Sequence, residues 1–130
     1  MCDAECVKSL DSIEMVTTPS GLQYKDIIVG DGEMPPLGFH VVAYYVAMNE
    51  KGSIFDNSVQ KGKPNDIRLT GDPESATVIV GLDEGLLSMR SGGLRRLYIP
   101  GDLAFPKGLA SAPGRPTIPP NSPVMFDVKL

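Results

Sequence analysis

Few side chains in this sequence have the type and spacing needed for covalent or metal chemistry. Two cysteines, Cys2 and Cys6, lie in CDAEC, and the single histidine is His40. A tetrahedral zinc site needs four ligands, and neither a second cysteine pair nor a second histidine is present to complete one. We therefore expect no metal and no cofactor, and we expect His40 to be an exposed side chain at the start of a strand.

The cysteine spacing leaves two states of CDAEC open. A four-residue separation in a loose turn could close a small disulfide, which would suit an oxidising compartment. Two free thiols would instead suit the cytosol. A thiol-dependent regulatory role for Cys2 and Cys6 is a further hypothesis.

Composition and charge limit the partners. The 130 residues are 42% apolar and carry a net charge of −4, which predicts one domain with a single core. Lys and Arg are scattered except for Arg95 and Arg96, so nucleic acid is not an expected partner. We interpret this arginine pair as a solvated strand face, with a docking patch as the alternative.

No membrane insertion is expected, because no apolar run approaches the roughly 20 residues that a membrane span requires. The N-terminus also lacks the basic-then-apolar order of a secretory signal. We expect that any targeting segment has been removed, or that the chain has been trimmed before Met1.

The spacing of apolar residues predicts an arm followed by one β-rich domain. Residues 1–18 predict a short helical turn and an extended arm on which little of the fold depends. Over residues 19–130, short β-rich runs alternate with Gly and Pro clusters, which predicts an antiparallel meander of about five strands. Residues 77–93 instead have apolar side chains at helical spacing, with Gly92 and Gly93 placed to end the helix. The expected fold class is therefore α+β, with one short helix laid across the sheet.

The proline-rich stretch APGRPTIPPNSP, residues 112–123, leads directly into the alternating run VMFDVKL. Because strands are expected on both sides, we interpret the stretch as an ordered loop rather than a disordered tail or a polyproline ligand. Its five prolines lower the entropy cost of ordering the loop.

From Gly21 to Leu130 the chain resembles the FKBP family of immunophilin-type peptidyl-prolyl cis-trans isomerases. The resemblance rests on motifs in the family's order: VVAYYVAM, IFDNS, KGKP, VIVGLDEGLLSM, RRLYIPGDLAF and IPPNSPVMFDV. It implies an FKBP-like antiparallel sheet wrapped around one short α-helix, with an apolar pocket for a proline ring between them. The phrases GLDEGLLSM, RRLYIPG and LAFPKGLASAPGRP also look like a plant chloroplast subgroup of the thylakoid lumen. The cytoplasm is the alternative location.

The resemblance also implies which residues form the pocket. The expected catalytic residues are Tyr44, Phe55, Asp56, Phe105 and Phe126, and the expected substrate-binding residues are Val78, Ile79, Leu82, Ile118 and Asn65. The Asp56 carboxylate is expected to orient neighbours such as Tyr44 rather than to transfer a proton. The proline-rich loop is expected to overhang the pocket.

Four features depart from the family's pattern. Leu82 stands where most active members place a tryptophan at the pocket floor. Phe105 stands where the family has a tyrosine, and the missing hydroxyl would cost about 1 kcal/mol of binding. Asn65 replaces an aromatic wall, and TGDPESAT is longer than the usual connection into the helix. These departures predict an intact scaffold with weakened catalysis.

A pocket of this kind could act without a nucleophile or a base. The barrier to rotation of an Xaa-Pro bond, about 20 kcal/mol, comes from resonance that water stabilises. Apolar walls would remove that water and favour the less polar twisted form.

Two functions remain open at this stage. The first is a peptidyl-prolyl isomerase, weak or selective, acting on Xaa-Pro bonds of proteins. The alternative is a non-catalytic FKBP-fold chaperone or docking module that binds proline-containing client segments. Either function implies proline-containing protein clients. The sequence leaves open whether macrolide ligands bind. We expect the protein to be a monomer.

Overall fold

The computed structural model describes residues 1–113 and 115–130, which contain two short helices and seven strands. The helices are α1 (Ala4–Ser9) and α2 (Val80–Leu87). The strands are β1 (Val16–Thr17), β2 (Gln23–Ile28), β3 (His40–Asn49), β4 (Ile54–Asn57), β5 (Asn65–Arg68), β6 (Leu94–Ile99) and β7 (Val124–Lys129). Single 3-10 turns cover Leu10–Ser12 and Gly101–Leu103.

The strands form one antiparallel sheet in the order β1-β2-β6-β7-β3-β4, with β5 paired to β3 off this path. Strand β3 is long enough to pair with three other strands. Its first half lies beside β5, and its second half lies between β4 and β7, where Ala47 faces both Asp56 and Phe126. The predicted α+β class is confirmed. The seven strands exceed the expected number of about five. One additional strand is β1, which has only two residues and so shows no alternation to detect.

The N-terminal arm is attached to the sheet more firmly than the sequence suggested. Strand β1 pairs with β2, with Val16 opposite Tyr24. Leu10 is only 6% exposed, and its carbonyl accepts a hydrogen bond from Lys25 Nζ at 2.7 Å. The helical turn and extended arm are present, and the expectation that little of the fold depends on them stays a prediction. The boundary at residue 18 stays a prediction.

A disulfide closes the start of the arm. It joins Cys2 to Cys6, whose Cα atoms lie 5.1 Å apart. The same turn is capped by Asp3, whose carboxylate accepts a hydrogen bond from the Cys6 backbone N–H at 2.9 Å. Of the two states left open by the sequence, the structure has the bonded one.

Helix α2 buries the predicted face but is shorter than the predicted segment. It begins at Val80, because the N-cap residue Ile79 has a ψ of 144° and so lies outside the helical conformation, and it ends before Ser88. Leu82 and Leu86 enter the core with 2% and 0% exposure. With eight residues in α2 and six in α1, neither helix in the described chain is long and apolar enough to cross a membrane.

Helix α2 approaches strand β6 closely through two glycines. A Cβ atom at Gly81 would lie 2.5 Å from Ile99 Cγ2, and one at Gly85 would lie 2.6 Å from Leu97 Cδ2. Any side chain at these positions would overlap the sheet. The two glycines lower intrinsic helix propensity, by about 1 kcal/mol each, and allow the helix to pack at this short distance.

Arg95 and Arg96 are buried, so the prediction of a solvated strand face was wrong. Strand β6 lies between β2 and β7, and each neighbour supplies a carboxylate. Arg96 Nε lies 2.7 Å from Asp127 on β7, with side chains only 11% and 4% exposed, and this pairing raises the pKa of Arg96. Arg95 Nε lies 2.6 Å from Asp26 on β2, and its guanidinium also donates to the Gly85 carbonyl at 3.0 Å. Both arginines therefore form ion pairs within the sheet and are not available on its surface.

Replacing Asp127 by alanine should lower the free energy of unfolding by about 3–5 kcal/mol, because it leaves the Arg96 charge buried without a partner. Urea denaturation measures this change. The double variant Arg96→Met, Asp127→Leu should recover most of the loss, since no charge is then stranded.

The exposed pair His40–Asp66 supplies a matched control, with side chains 63% and 70% exposed. Asp66→Ala should change the stability by less than about 1 kcal/mol. Equal losses from Asp127→Ala and Asp66→Ala would contradict a special role for the buried pair.

Candidate active site

A cavity of about 630 Å³ lies between helix α2, the strands β3, β4 and β7, and the loop after Gly101–Leu103. Its inner walls are apolar and are formed by Phe55, Val78, Ile79, Leu82, Phe105 and Phe126. Its charged lining side chains are Asp56, Lys61 and Arg115, and each is more exposed than the buried Phe55, Leu82 and Phe126. The cavity is therefore suited to a compact apolar group, with polar contacts at its mouth.

Sheet register brings the aromatic walls together. Phe126 on β7 is paired with Ala47 on β3, and β4 carries Phe55 along the other side of β3. The Phe55 ring meets the Phe126 ring at 6.1 Å and the Phe105 ring at 5.9 Å, with interplanar angles of 78° and 75°. These edge-to-face contacts fix the ring orientations, so the walls are rigid before anything binds.

The tyrosine of the pocket is Tyr45, which corrects the prediction of Tyr44. Alternate residues of a strand point to opposite faces. Tyr45 shares the inner face with the buried Ala43 and Ala47, and its ring lies 5.1 Å from that of Phe126. Tyr44 points to the other face and does not line the cavity.

Asp56 is held by hydrogen bonds to both carboxylate oxygens. Tyr45 donates its hydroxyl to Oδ2 at 2.8 Å, and Lys61 donates from Nζ to Oδ1 at 2.9 Å. Partial burial alone would raise the pKa of Asp56, but the bonds from Lys61 and Tyr45 outweigh it and hold that pKa below its usual value. The carboxylate is therefore ionised at neutral pH.

Tyr45 remains protonated for the complementary reason. Its burial, followed by its bond to the anionic Asp56, raises the pKa of the phenol well above the ordinary value. The amide of Asn65 acts in the opposite direction and lowers it. The hydroxyl is thus a fixed donor to Asp56, and this group has no proton to release near neutral pH.

The structure brings most of the predicted substrate-binding residues to the cavity, with two exceptions. Val78, Ile79 and Leu82 line it. Ile118 is 1% exposed and belongs to the core, where its backbone pairs with Leu109. Asn65 lies on β5 and does not line the cavity, although its amide lowers the pKa of Tyr45.

The proline-rich loop, which the resemblance implied would overhang the pocket, borders the cavity. Backbone pairing of Leu109 with Ile118 closes its base, and pairing of Ala112 with Arg115 closes its tip. Ala112, Pro113 and Arg115 all line the cavity. The part of the prediction that concerns residue 114 lies outside the described residues.

Sequence reasoning missed several lining residues besides Tyr45. Ile54, Lys61 and Arg115 carry no strong local signal, because each lies in a short strand or a turn. The alternation along β3 could have identified Tyr45, since Ala43 and Ala47 mark the inner face. Among the described residues, no group of three His, Cys, Asp or Glu side chains is placed to bind a metal ion.

An antiparallel sheet packed on one short helix, with an aromatic cavity between them, defines an FKBP-like domain. The chain belongs to the FKBP-type peptidyl-prolyl cis-trans isomerase family, whose sequence model matches residues 31–130. Among solved structures, it is similar to AtFKBP13, with a TM-score of 0.76 and 37% identity over 89% of this chain and 95% of that one.

Two relatives from Arabidopsis thaliana are similar along most of the sequence. The chloroplastic peptidyl-prolyl cis-trans isomerase FKBP16-3 is 63% identical over all 130 residues of this chain and 56% of its own length. The chloroplastic FKBP13 is 38% identical over 91% of this chain and 58% of its own. The chain thus spans about half the length of these relatives.

Replacing Lys61 by methionine should raise the pKa of Asp56, because it removes the hydrogen bond and the charge that oppose burial. Carboxyl NMR titration measures this pKa. A folded-state pKa below the unfolded value of about 3.9 contributes stability above that pH, which is lost as the pH falls through the folded value. The free energy of unfolding should therefore fall less between neutral and acid pH in Lys61→Met than in the natural chain.

Lys51→Met is the matched control, because Lys51 lies exposed in the turn after β3 and makes no contact with Asp56. It should leave the Asp56 pKa unchanged. If Lys61→Met also left it unchanged, the proposed balance of burial and hydrogen bonding would be wrong.

Proposed function

We propose that this protein is a peptidyl-prolyl cis-trans isomerase that accelerates rotation about Xaa-Pro bonds in protein chains. The observation that carries the proposal is the rigid aromatic cavity formed by Phe55, Phe105 and Phe126 beside Leu82. A proline ring is compact and apolar, so it fits such walls while the rest of the client stays at the mouth. Family membership supports the same activity.

The cavity accelerates rotation by excluding water from the imide bond. The planar imide is polar because resonance places negative charge on its carbonyl oxygen, and water stabilises that form. The twisted transition state has lost this resonance and is less polar. Walls of Phe55, Phe126 and Ile79 remove water from the bond and so favour the twisted state over the planar one. No covalent bond forms or breaks in this reaction.

Asp56 is a positioning residue in this mechanism. Both of its oxygens accept hydrogen bonds within the protein, and its pKa keeps it ionised, so it is a poor proton donor. It fixes the Tyr45 ring against Phe126 and holds Lys61 at the rim. Asn65 contributes through its contact with Tyr45.

Two residues at the cavity wall set a modest rate. Leu82 fills less of the floor than an indole would, so a proline ring is gripped by fewer contacts. Phe105 presents a ring with no hydroxyl to bond a client carbonyl. We expect measurable but weak isomerisation rather than loss of activity, because Phe55 and Phe126 still enclose the ring.

We further propose a chloroplast location, specifically the thylakoid lumen, with proline-containing proteins as clients. The relatives FKBP16-3 and FKBP13 carry the word chloroplastic in their names. The Cys2–Cys6 disulfide suits an oxidising compartment such as the lumen. A macrolide ligand would use the same apolar walls. We propose a monomer as the working form.

Phe105→Tyr should raise kcat/KM on Xaa-Pro peptides by about fivefold, because the new hydroxyl supplies a hydrogen bond of about 1 kcal/mol to a client carbonyl. Leu82→Trp should also raise kcat/KM by enlarging the floor. The measurement is the catalysed cis-trans rate of a peptide series, on the natural chain and on each variant.

Phe39→Tyr adds the same hydroxyl at a site that is 62% exposed and lies outside the cavity, so it should leave the rate unchanged. Absence of acceleration by the natural chain and by both pocket variants would refute the proposal. Acceleration by Leu82→Trp alone would mean that the natural pocket binds clients without useful catalysis.

A further inference from the structure

We propose that Arg115 makes the protein selective for clients with an acidic residue next to the isomerised proline. This inference rests on the proposed isomerase function and concerns the mouth of the same cavity. The observation behind it is a partly buried arginine in the cavity lining whose guanidinium is held by hydrogen bonds and takes part in no ion pair among the described residues.

The charges of the cavity are unequal. Three charged side chains line it, and they are Asp56, Lys61 and Arg115. Lys61 bonds the Asp56 carboxylate at 2.9 Å, so these two charges offset each other. Arg115 leaves one positive charge in excess at the mouth, on a protein whose net charge is −4. An anionic client side chain is the group that this local charge attracts.

Arg115 is held before any client binds. Its Nε and Nη2 atoms donate to the Ala110 carbonyl at 3.2 and 2.6 Å. Its backbone N–H and carbonyl pair with Ala112 across the tip of the loop. A side chain fixed in this way loses less rotamer entropy on binding than a mobile one, so more of the electrostatic attraction appears as affinity.

The remaining donors of Arg115 have the geometry that a carboxylate needs. The Ala110 carbonyl, being uncharged, leaves the full positive charge on the guanidinium. Within the described residues Nη1 makes no hydrogen bond, and Nη2 has a second N–H. The Nη1–Nη2 edge can bind both oxygens of a Glu or Asp side chain. Ile54, another lining residue, is 50% exposed and offers an apolar contact instead.

Peptides that differ only in charge beside the proline test the inference. One series is Ala-Xaa-Pro-Phe and a second is Ala-Leu-Pro-Xaa, with Xaa as Glu or its neutral isostere Gln. For the natural chain at low salt, kcat/KM should favour Glu over Gln by about three- to tenfold in at least one series. The preference should shrink as salt is added.

Variants assign this preference to the residue. The ratio of Glu to Gln rates should fall to about one in Arg115→Met, whereas Arg115→Lys should keep part of it, because the charge remains and the planar fork is lost. Lys107→Met removes one positive charge from an exposed position outside the cavity lining and should leave the ratio unchanged.

Failure of this inference can be told apart from failure of the proposed function. If Leu-Pro peptides are accelerated but Glu is not preferred over Gln in either series, or if Arg115→Met keeps the preference, the inference is overturned and the isomerase function stands. If no peptide is accelerated, the function fails. In that case the Glu and Gln peptides are compared by their Kd values, measured by NMR titration of the natural chain and of Arg115→Met. Equal Kd values for the natural chain, or a preference for Glu that survives in Arg115→Met, would overturn the inference.

Discussion

The close contact between helix α2 and strand β6 is the constraint on which the site depends. Gly81 and Gly85 let the helix approach Ile99 and Leu97 to a distance that no Cβ atom would permit. At that distance Leu82 reaches the core and forms the floor of the cavity. Were the helix farther away, the floor would be lost and water would enter the cavity.

Arg95 stabilises the same contact from the helix end. Its guanidinium bonds the Gly85 carbonyl and the Asp26 carboxylate, and it lies 3.8 Å from the centre of the Tyr24 ring. Helix α2 has eight residues, too few for a helix to be stable alone in water. Packing and this arginine therefore set its position.

The polar groups of the site support the apolar ones. Asp56 is ionised and fully bonded, and Tyr45 is a protonated donor, so the pair orients a ring wall without taking part in proton transfer. Lys61 completes the arrangement at the rim. This division of roles is consistent with the proposed isomerase activity, which depends on removing water from the bond and needs no reactive side chain.

Sequence reasoning identified the parts of the molecule that have a local signal. The alternation in VMFDVKL predicted the strand that carries Phe126, and the helical spacing over residues 77–93 predicted the helix on which Leu82 and Leu86 are buried. Two adjacent tyrosines on one strand could not be separated by motif alone, because a shift of one residue reverses the face. The position of Phe55 was easier, since a single aromatic residue occurs in IFDNS.

Other features depend on residues that are distant in sequence. Arg95 and Arg96 looked solvated because their partners, Asp26 and Asp127, lie 69 and 31 residues away and meet them only through sheet pairing. The state of Cys2 and Cys6 depends on the redox environment, which the sequence does not encode. Local patterns therefore predict faces and loops, whereas ion pairs require the topology.

The measurement that tests the central claim most directly is kcat/KM for one Leu-Pro peptide in H2O and in D2O, across the pH range from 5 to 9. Rotation driven by an apolar cavity transfers no proton in the transition state, so we predict equal rates in the two solvents and a flat pH profile. A clearly faster rate in H2O, or a profile that follows the titration of one group, would contradict catalysis by desolvation.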